Sequence, residues 1–302
     1  MTDSEATLLC EHRGYLIGLA YRMLGEVAEA EDVVQDAYLR WRNATGSEVD
    51  NPRAYLARVV TRLCLDRLKE ARRHRETYVG AWLPEPLLDS YVSLTATPGE
   101  LAENVSFALM LALERLSPLE RAAFLLHDVF DLGFDEVAEA LGRTTAACRQ
   151  LASRARAQVS QSRPRFVVAP DEGERLTEAF FTASRSGDLD QLHSLLAESI
   201  SFHSDGGGRK PAALRPIYGL DKVCRLFAGL ANKSRRKPAL WRRNLLINGL
   251  PGYATVEHDG TLQTTALEVE NERILAVYVM RNPEKLRHLL SVLPESIRRA
   301  VR

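Results

Sequence analysis

Two proline-bearing interruptions, at 76–100 and 162–171, divide this sequence into stretches whose apolar residues repeat with different periods. Up to residue 75 the spacing is helical: Leu16, Leu19, Ala20 and Met23, then Val33, Val34, Ala37, Leu39 and Trp41, then Leu56, Val59, Val60, Leu63 and Leu68. Gly25 and Asn51-Pro52 separate these runs into helices, with Pro52 suited to a first turn and Asn51 or Asp50 to its cap. Gly80, Pro84, Pro86, Pro98 and Gly99 then prevent a long helix. Helical spacing returns over 101–160, broken at Ser117-Pro118 and Gly142. Beyond the second interruption, helices are expected at Glu174–Ser186, Asp188–Leu196 and Leu220–Leu230. Short strands follow at Leu240–Ile247, Tyr253–His258, Gln263–Val269 and Ile274–Met280, separated by Gly, Asn and Asp. The pattern therefore predicts a multidomain chain, with two all-α domains (a helical bundle and a helix-turn-helix) followed by an α+β domain.

At 302 residues the chain is long enough for about two domains with cores of their own. Hydrophobic residues at 45% and charged residues at 26% exclude a disordered or fibrous chain. Charge-free runs such as Asn104–Leu113 are too short to span a bilayer, and the acidic N-terminus does not resemble a secretion signal. Cys10, Cys64, Cys148 and Cys224 are too widely spaced for a zinc site or a dense disulfide framework. A soluble cytoplasmic protein, with no membrane, metal or cofactor, is the expectation.

Forty basic side chains balance forty acidic ones, a neutrality that argues against a nucleic-acid partner until the distribution is considered. Residues 1–50 carry ten acidic and four basic side chains, whereas residues 53–75 carry eight basic and two acidic ones. Adjacent blocks of opposite sign suit two different partners. Glu29, Glu31, Asp32 and Asp36 share one helix with Gln35 and have no histidine at matching spacing, so protein docking suits them better than acid–base or metal chemistry. Arg58, Arg62, Arg67, Lys69, Arg72 and Arg73 follow at spacings suited to tracking phosphates, and Tyr55 offers a stacking ring.

Phe134–Leu141, Gly142 and Arg143–Arg156 read as two helices joined by a tight turn, with Val137, Leu141, Cys148 and Leu151 as the shared apolar seam. The second helix would present Thr144, Thr145, Arg149, Gln150, Ser153, Arg154 and Arg156 to a major groove.

These motifs together resemble the sigma-70-type transcription initiation factors, in particular the extracytoplasmic-function (ECF) group. Ala30–Asp36 resembles the segment docking on core RNA polymerase, and Asn51–Leu68 the stretch that melts and reads the −10 element. Leu116–Arg121 and Phe134–Arg156 resemble the −35-reading domain. Trp82-Leu83-Pro84-Glu85-Pro86 is similar to the linker signature of a subgroup carrying a C-terminal SnoaL-like (nuclear-transport-factor-2-like) domain, an α+β cone. Asp205-Gly206-Gly207-Gly208 and Asn282-Pro283-Glu284-Lys285-Leu286 look like that domain's two signatures. Arg209 stands where Lys is usual, and Glu284 where Asp is usual.

The resemblance implies sigma region 2 over 1–76, a linker over 77–100, region 4 over 101–162, a second linker over 163–172 and a SnoaL-like regulatory domain over 173–302. Its implied partners are core RNA polymerase, through the β′ clamp and β flap, and promoter DNA, with the C-terminal domain controlling activity in cis. It also leaves room for an unidentified small ligand in the C-terminal cavity. The two C-terminal signatures are expected near the Trp82–Pro86 segment. Two other readings compete: a ligand-responsive DNA-binding regulator acting without polymerase, and an isomerase or cyclase with a DNA-binding appendage. The latter would use His203 with Asp205, or His258 with Asp259, as acid and base, and the chain is expected not to be an enzyme.

Overall fold

The computed structural model describes residues 3–44, 51–75, 78–88, 106–160, 168–234 and 237–301. The chain forms two compact units, one of residues 1–77 and 90–163, the other of residues 78–89 and 164–302.

In the first unit, α1 (Asp3–Leu24), α2 (Val27–Ala44) and α3 (Pro52–Arg75) pack through the apolar stripes that the periodicity marks. Leu19, Met23, Val33, Ala37, Leu56 and Val60 are wholly or almost wholly buried. Gly25 adopts a positive φ between α1 and α2, and the Asn51 side chain caps α3 through the Ala54 N–H (3.1 Å).

Among the described residues this unit has four further helices: α4 (Phe107–Glu114), α5 (Pro118–Phe124), α6 (Phe134–Leu141) and α7 (Thr145–Val159). Ser117 starts α5 as one half of a capping box with Glu120, and Pro118 fills the first turn, where its missing N–H leaves no bond unmade. A single π-helical turn, Leu125–Val129, follows α5. Gly142, at φ 61°, gives the left-handed backbone that ends α6, and Thr144 caps α7 (3.2 Å). The seam between α6 and α7 differs in one detail from expectation. Val137, Leu141 and Cys148 are buried, but Leu151 is only half-buried, and Ala152 and Ala155 take its place.

The second unit is a six-stranded sheet of order β2-β1-β6-β5-β4-β3, covered on one face by three helices. The helices are α8 (Pro170–Ser186), α9 (Leu189–Leu195) and α10 (Leu220–Ser234). The strands are β1 (Leu196–Asp205), β2 (Ile217–Tyr218), β3 (Trp241–Ile247), β4 (Leu250–Val256), β5 (Leu262–Glu270) and β6 (Arg273–Met280). Phe180, Phe202, Phe227 and Tyr253 lie in the core between helices and sheet.

The sequence reading did not anticipate β1. Its pairing with β6 is parallel, the other pairings being antiparallel, and its register sets Asp205 opposite Met280. Both strands therefore end together, so the segments beginning at Gly206 and Arg281 leave the sheet side by side. The chain ends in a 3₁₀ turn (Arg287–Val292) and α11 (Glu295–Arg298).

Candidate functional site

The acidic residues of α2 divide by exposure. Asp32 and Gln35 are exposed, whereas Glu29, Glu31 and Asp36 are half-buried. Glu31 pairs with Arg13 (3.2 Å) and Asp36 approaches Arg67 (3.9 Å), so intramolecular partners engage part of the acidic face.

The basic helix α3 is engaged more heavily. Arg62 donates from Nε to the Ala140 carbonyl (3.1 Å) and from Nη2 to the Glu139 carbonyl (2.9 Å), while Arg58 pairs with the Glu139 carboxylate. The last turn of a helix has carbonyls without intrahelical donors and carries negative dipole charge, and Arg62 supplies both the donors and the cation to α6. Arg58 also lies over the Tyr55 ring (5.2 Å), and Lys69 pairs with Asp66 (2.8 Å). The side chains of Arg72 and Arg73 lie outside the described residues.

On α7, Thr144, Arg149, Gln150, Ser153, Arg154 and Arg156 are exposed and Thr145 is half-buried. Three of these have structural tasks: Thr144 caps the helix, Thr145 donates to Asp135 (2.9 Å) and Arg156 donates to Asp128 (2.5 Å). Arg149 stands over the Phe134 ring (5.6 Å). Gln150, Ser153 and Arg154 are exposed on the same helix.

The second unit contains a dense, buried polar cluster around Asp205. Asp205 is buried and receives four donors: Tyr78 Oη (2.6 Å) and Gly207 N (2.9 Å) at Oδ1, and Leu83 N (3.0 Å) and Lys285 Nζ (3.0 Å) at Oδ2. Lys285 also donates to the Leu83 carbonyl (2.6 Å) and sits over the Trp82 ring (4.2 Å). Asn282 donates to Tyr78 Oη (2.9 Å) and accepts from Glu284 N (3.0 Å). A buried ammonium is tolerated here because it has a carboxylate, a carbonyl and an aromatic face.

At Gly207, φ is 60° and a side chain would collide with the Asn282 amide; at Gly206 it would collide with the Lys210 carbonyl. The glycines thus let this loop lie against the Asn282 turn. Arg209 pairs with Glu284 (2.7 Å), so the two unusual residues of the signatures meet each other. The Trp82–Pro86 segment, which lacks regular secondary structure, is held at its far end by His288, whose Nε2–H donates to the Pro86 carbonyl (2.7 Å). Leu87 N donates to Asn248 (2.9 Å), and Leu88 bridges to Ile247. Part of the expected 77–100 linker is therefore a packed strap on the second unit. Tyr78, Asn248 and His288 were absent from the sequence reading, because their partners lie more than 120 residues away and no local spacing marks them.

The acid–base pairing of His203 with Asp205 does not occur: His203 meets Ser201 (3.1 Å) and stacks on Tyr278, while Asp205 is bound to the strap. Asp259 accepts from Thr261 N (2.9 Å) within its own turn. Among the described residues no group of His, Cys, Asp and Glu could hold a metal, and no helix is long and apolar enough to cross a membrane.

This layout defines a two-domain sigma-70-type factor with an added α+β unit, and comparison with known families agrees. The family described as Sigma-70 region 2 matches residues 8–74, and Sigma-70, region 4 matches residues 106–159. The ECF RNA polymerase sigma factor SigJ of Mycobacterium tuberculosis is 41% identical over 298 residues, covering 94% of this chain and 93% of the relative. Its crystal structure aligns with a TM-score of 0.74 at 36% identity, covering 93% of this chain and 98% of that one. The probable ECF sigma factor SigI of the same species is 34% identical over 277 residues, covering 91% of this chain and 92% of the relative. The chain belongs to the ECF RNA polymerase sigma factors.

Proposed function

We propose that residues 1–76 and 101–162 act as sigma regions 2 and 4, and that residues 173–302 control them in cis through the strap. In this reading Asp32 and Gln35, with Glu29, Glu31 and Asp36 beside them, dock on the β′ clamp of core RNA polymerase, and the 101–162 region meets the β flap. Arg58, Arg62, Arg67 and Lys69, with Arg72 and Arg73, engage the −10 region. Gln150, Ser153 and Arg154 read −35 bases, with Thr144, Thr145, Arg149 and Arg156 positioning the helix and contacting phosphates. The factor works in the cytoplasm and performs no chemistry itself. Control in cis draws its support from the Asp205–Lys285 cluster, which ties the two C-terminal signatures to the segment between the sigma regions.

The observation that carries the reading is the order along one chain of an acidic helix, a basic helix and a helix-turn-helix whose second helix exposes Gln150, Ser153 and Arg154. Run-off transcription with core polymerase tests it. Asp32→Ala with Gln35→Ala is expected to weaken polymerase binding while leaving DNA contacts alone. Arg154→Ala is expected to weaken −35 binding by about 1–3 kcal/mol if it contacts a base edge. Unchanged polymerase affinity in the first variant would remove the docking assignment.

A further inference from the structure

On α3 and α7, Arg58, Arg62, Arg67 and Arg156 each have a carboxylate or carbonyl partner. Arg149 differs. Among the described residues it pairs with no carboxylate, and its guanidinium stands over the Phe134 ring, 5.6 Å from the centroid. The two acidic residues in the first turn of α6 are engaged elsewhere. Asp135 accepts from Thr145 (2.9 Å), and Glu136 accepts from the Gly133 N–H (2.9 Å).

Phe134 is itself held from behind the helix-turn-helix. His127 stacks on it, with ring centroids 3.8 Å apart and planes inclined by 29°. His127 Nδ1 lies 2.8 Å from the Leu132 carbonyl, which can only accept, so that nitrogen carries a proton. His127 belongs to the π-helical turn, closed by Phe130 N on the Leu125 carbonyl (2.9 Å). Such turns are rare and frequently mark functional sites. The chain then passes through Asp131 at φ 56°, a left-handed conformation that few non-glycine residues adopt. Two unusual backbone features thus precede the ring that carries Arg149.

A guanidinium over an aromatic face is attracted to the ring yet keeps its N–H donors and its full charge, whereas a carboxylate would occupy and neutralise it. Restricting an arginine before it meets its ligand also lowers the side-chain entropy lost on binding. We propose that Phe134, backed by His127, is a positioning residue that holds Arg149 ready for a backbone phosphate of the −35 duplex. The inference rests on the reading of α7 as the −35 helix: Arg149 touches the DNA, and Phe134 acts through it.

The test is fluorescence anisotropy of the full chain on a short mixed-sequence duplex, because phosphate contacts carry no sequence information. Salt is varied between about 50 and 200 mM. Arg149→Gln is expected to weaken binding and to reduce the slope of log K against log salt by about one. Phe134→Leu keeps apolar bulk but loses the ring. It is expected to weaken binding about two- to fivefold at unchanged slope, since the phosphate contact still forms. In the Arg149→Gln background it should add nothing, whereas a ring that only supports the fold would weaken binding in both backgrounds. Phe134→Tyr keeps the ring and should bind no more weakly than wild type. Far-UV circular dichroism checks folding, with Phe134→Met as the substitute should the leucine variant unfold. Wild-type affinity in Phe134→Leu, or additive losses in the double variant, overturns the positioning role while leaving α7 as the −35 helix. Wild-type binding by Arg149→Gln removes Arg149 from the DNA contacts, and the proposal with it.

Discussion

Asp205 shows what one side chain decides in the second unit. Its carboxylate and the Lys285 ammonium are almost wholly removed from solvent and bind the backbone N–H and C=O of Leu83, respectively. Removing one partner of such a pair leaves the other buried and uncompensated, so Asp205→Ala is expected to cost about 3–5 kcal/mol. Adding Lys285→Met should recover part of that loss, because the stranded charge goes with it. Urea unfolding of the full chain measures both, and faster hydrogen exchange at the Leu83 amide locates the damage. A single mutant no less stable than wild type would contradict the geometry.

Glu268 offers a second test at this scale. Burial raises its pKa above the usual carboxylate value, partly offset by the hydrogen bond from Tyr278 (2.6 Å). A carboxyl with a raised folded-state pKa stabilises the fold fully below its unfolded value and loses that contribution as pH rises through the folded one. The unfolding free energy should therefore slope downward above about pH 4.3, and Glu268→Gln should flatten that part of the profile. The Asp205-Gly-Gly-Gly208 signature was legible in sequence as a place needing close backbone approach. Its partners were not, because burial and charge pairing across 80 or more residues leave no local pattern.

Among elements, the contact between α3 and α6 has the clearest consequence. The last turn of α6 presents carbonyls that α6 cannot satisfy, and Arg62 of α3 caps them while Arg58 pairs with Glu139. The same arginines cannot meet phosphates while held there. Glu139→Ala removes the ion pair without touching α3, so it should raise the affinity of the free chain for fork-junction promoter DNA several-fold. Fluorescence anisotropy measures this, and an unchanged affinity would show that the contact does not restrain α3.

The helices of the first unit were legible because their apolar stripes, caps and glycine stops are local. Strand β1 was hidden by its composition. Glu198, Ser199, Ser201, His203 and Ser204 dilute the alternation of Ile200 and Phe202, and its partner β6 lies some 75 residues on. The strap was misjudged for a related reason. Prolines do exclude a helix over 82–86, but they do not exclude a packed extended segment, and Leu83, Leu87 and Leu88 are buried.

Across the whole molecule, zero net charge is the sum of an acidic α2, a basic α3 and the rest of the chain, which in the reading proposed above face different partners. The acidic α2 and basic α3 are adjacent in sequence, so in the free chain the carboxylates of α2 oppose the approach of DNA to α3 within a Debye length. Docking α2 on polymerase would bury that repulsion and leave the basic surface unopposed. Converting Glu29, Glu31, Asp32 and Asp36 to their amides changes the net charge from 0 to +4 without altering side-chain shape. Two assays should then move in opposite directions. Non-specific duplex binding by the free chain should strengthen several-fold at low salt, with the gain shrinking as salt screens it. Affinity for core polymerase should fall, and run-off transcription with it. If both affinities rose together, the acidic helix would be only a solubilising face; if neither changed, the charge division between α2 and α3 would have no part in partner choice.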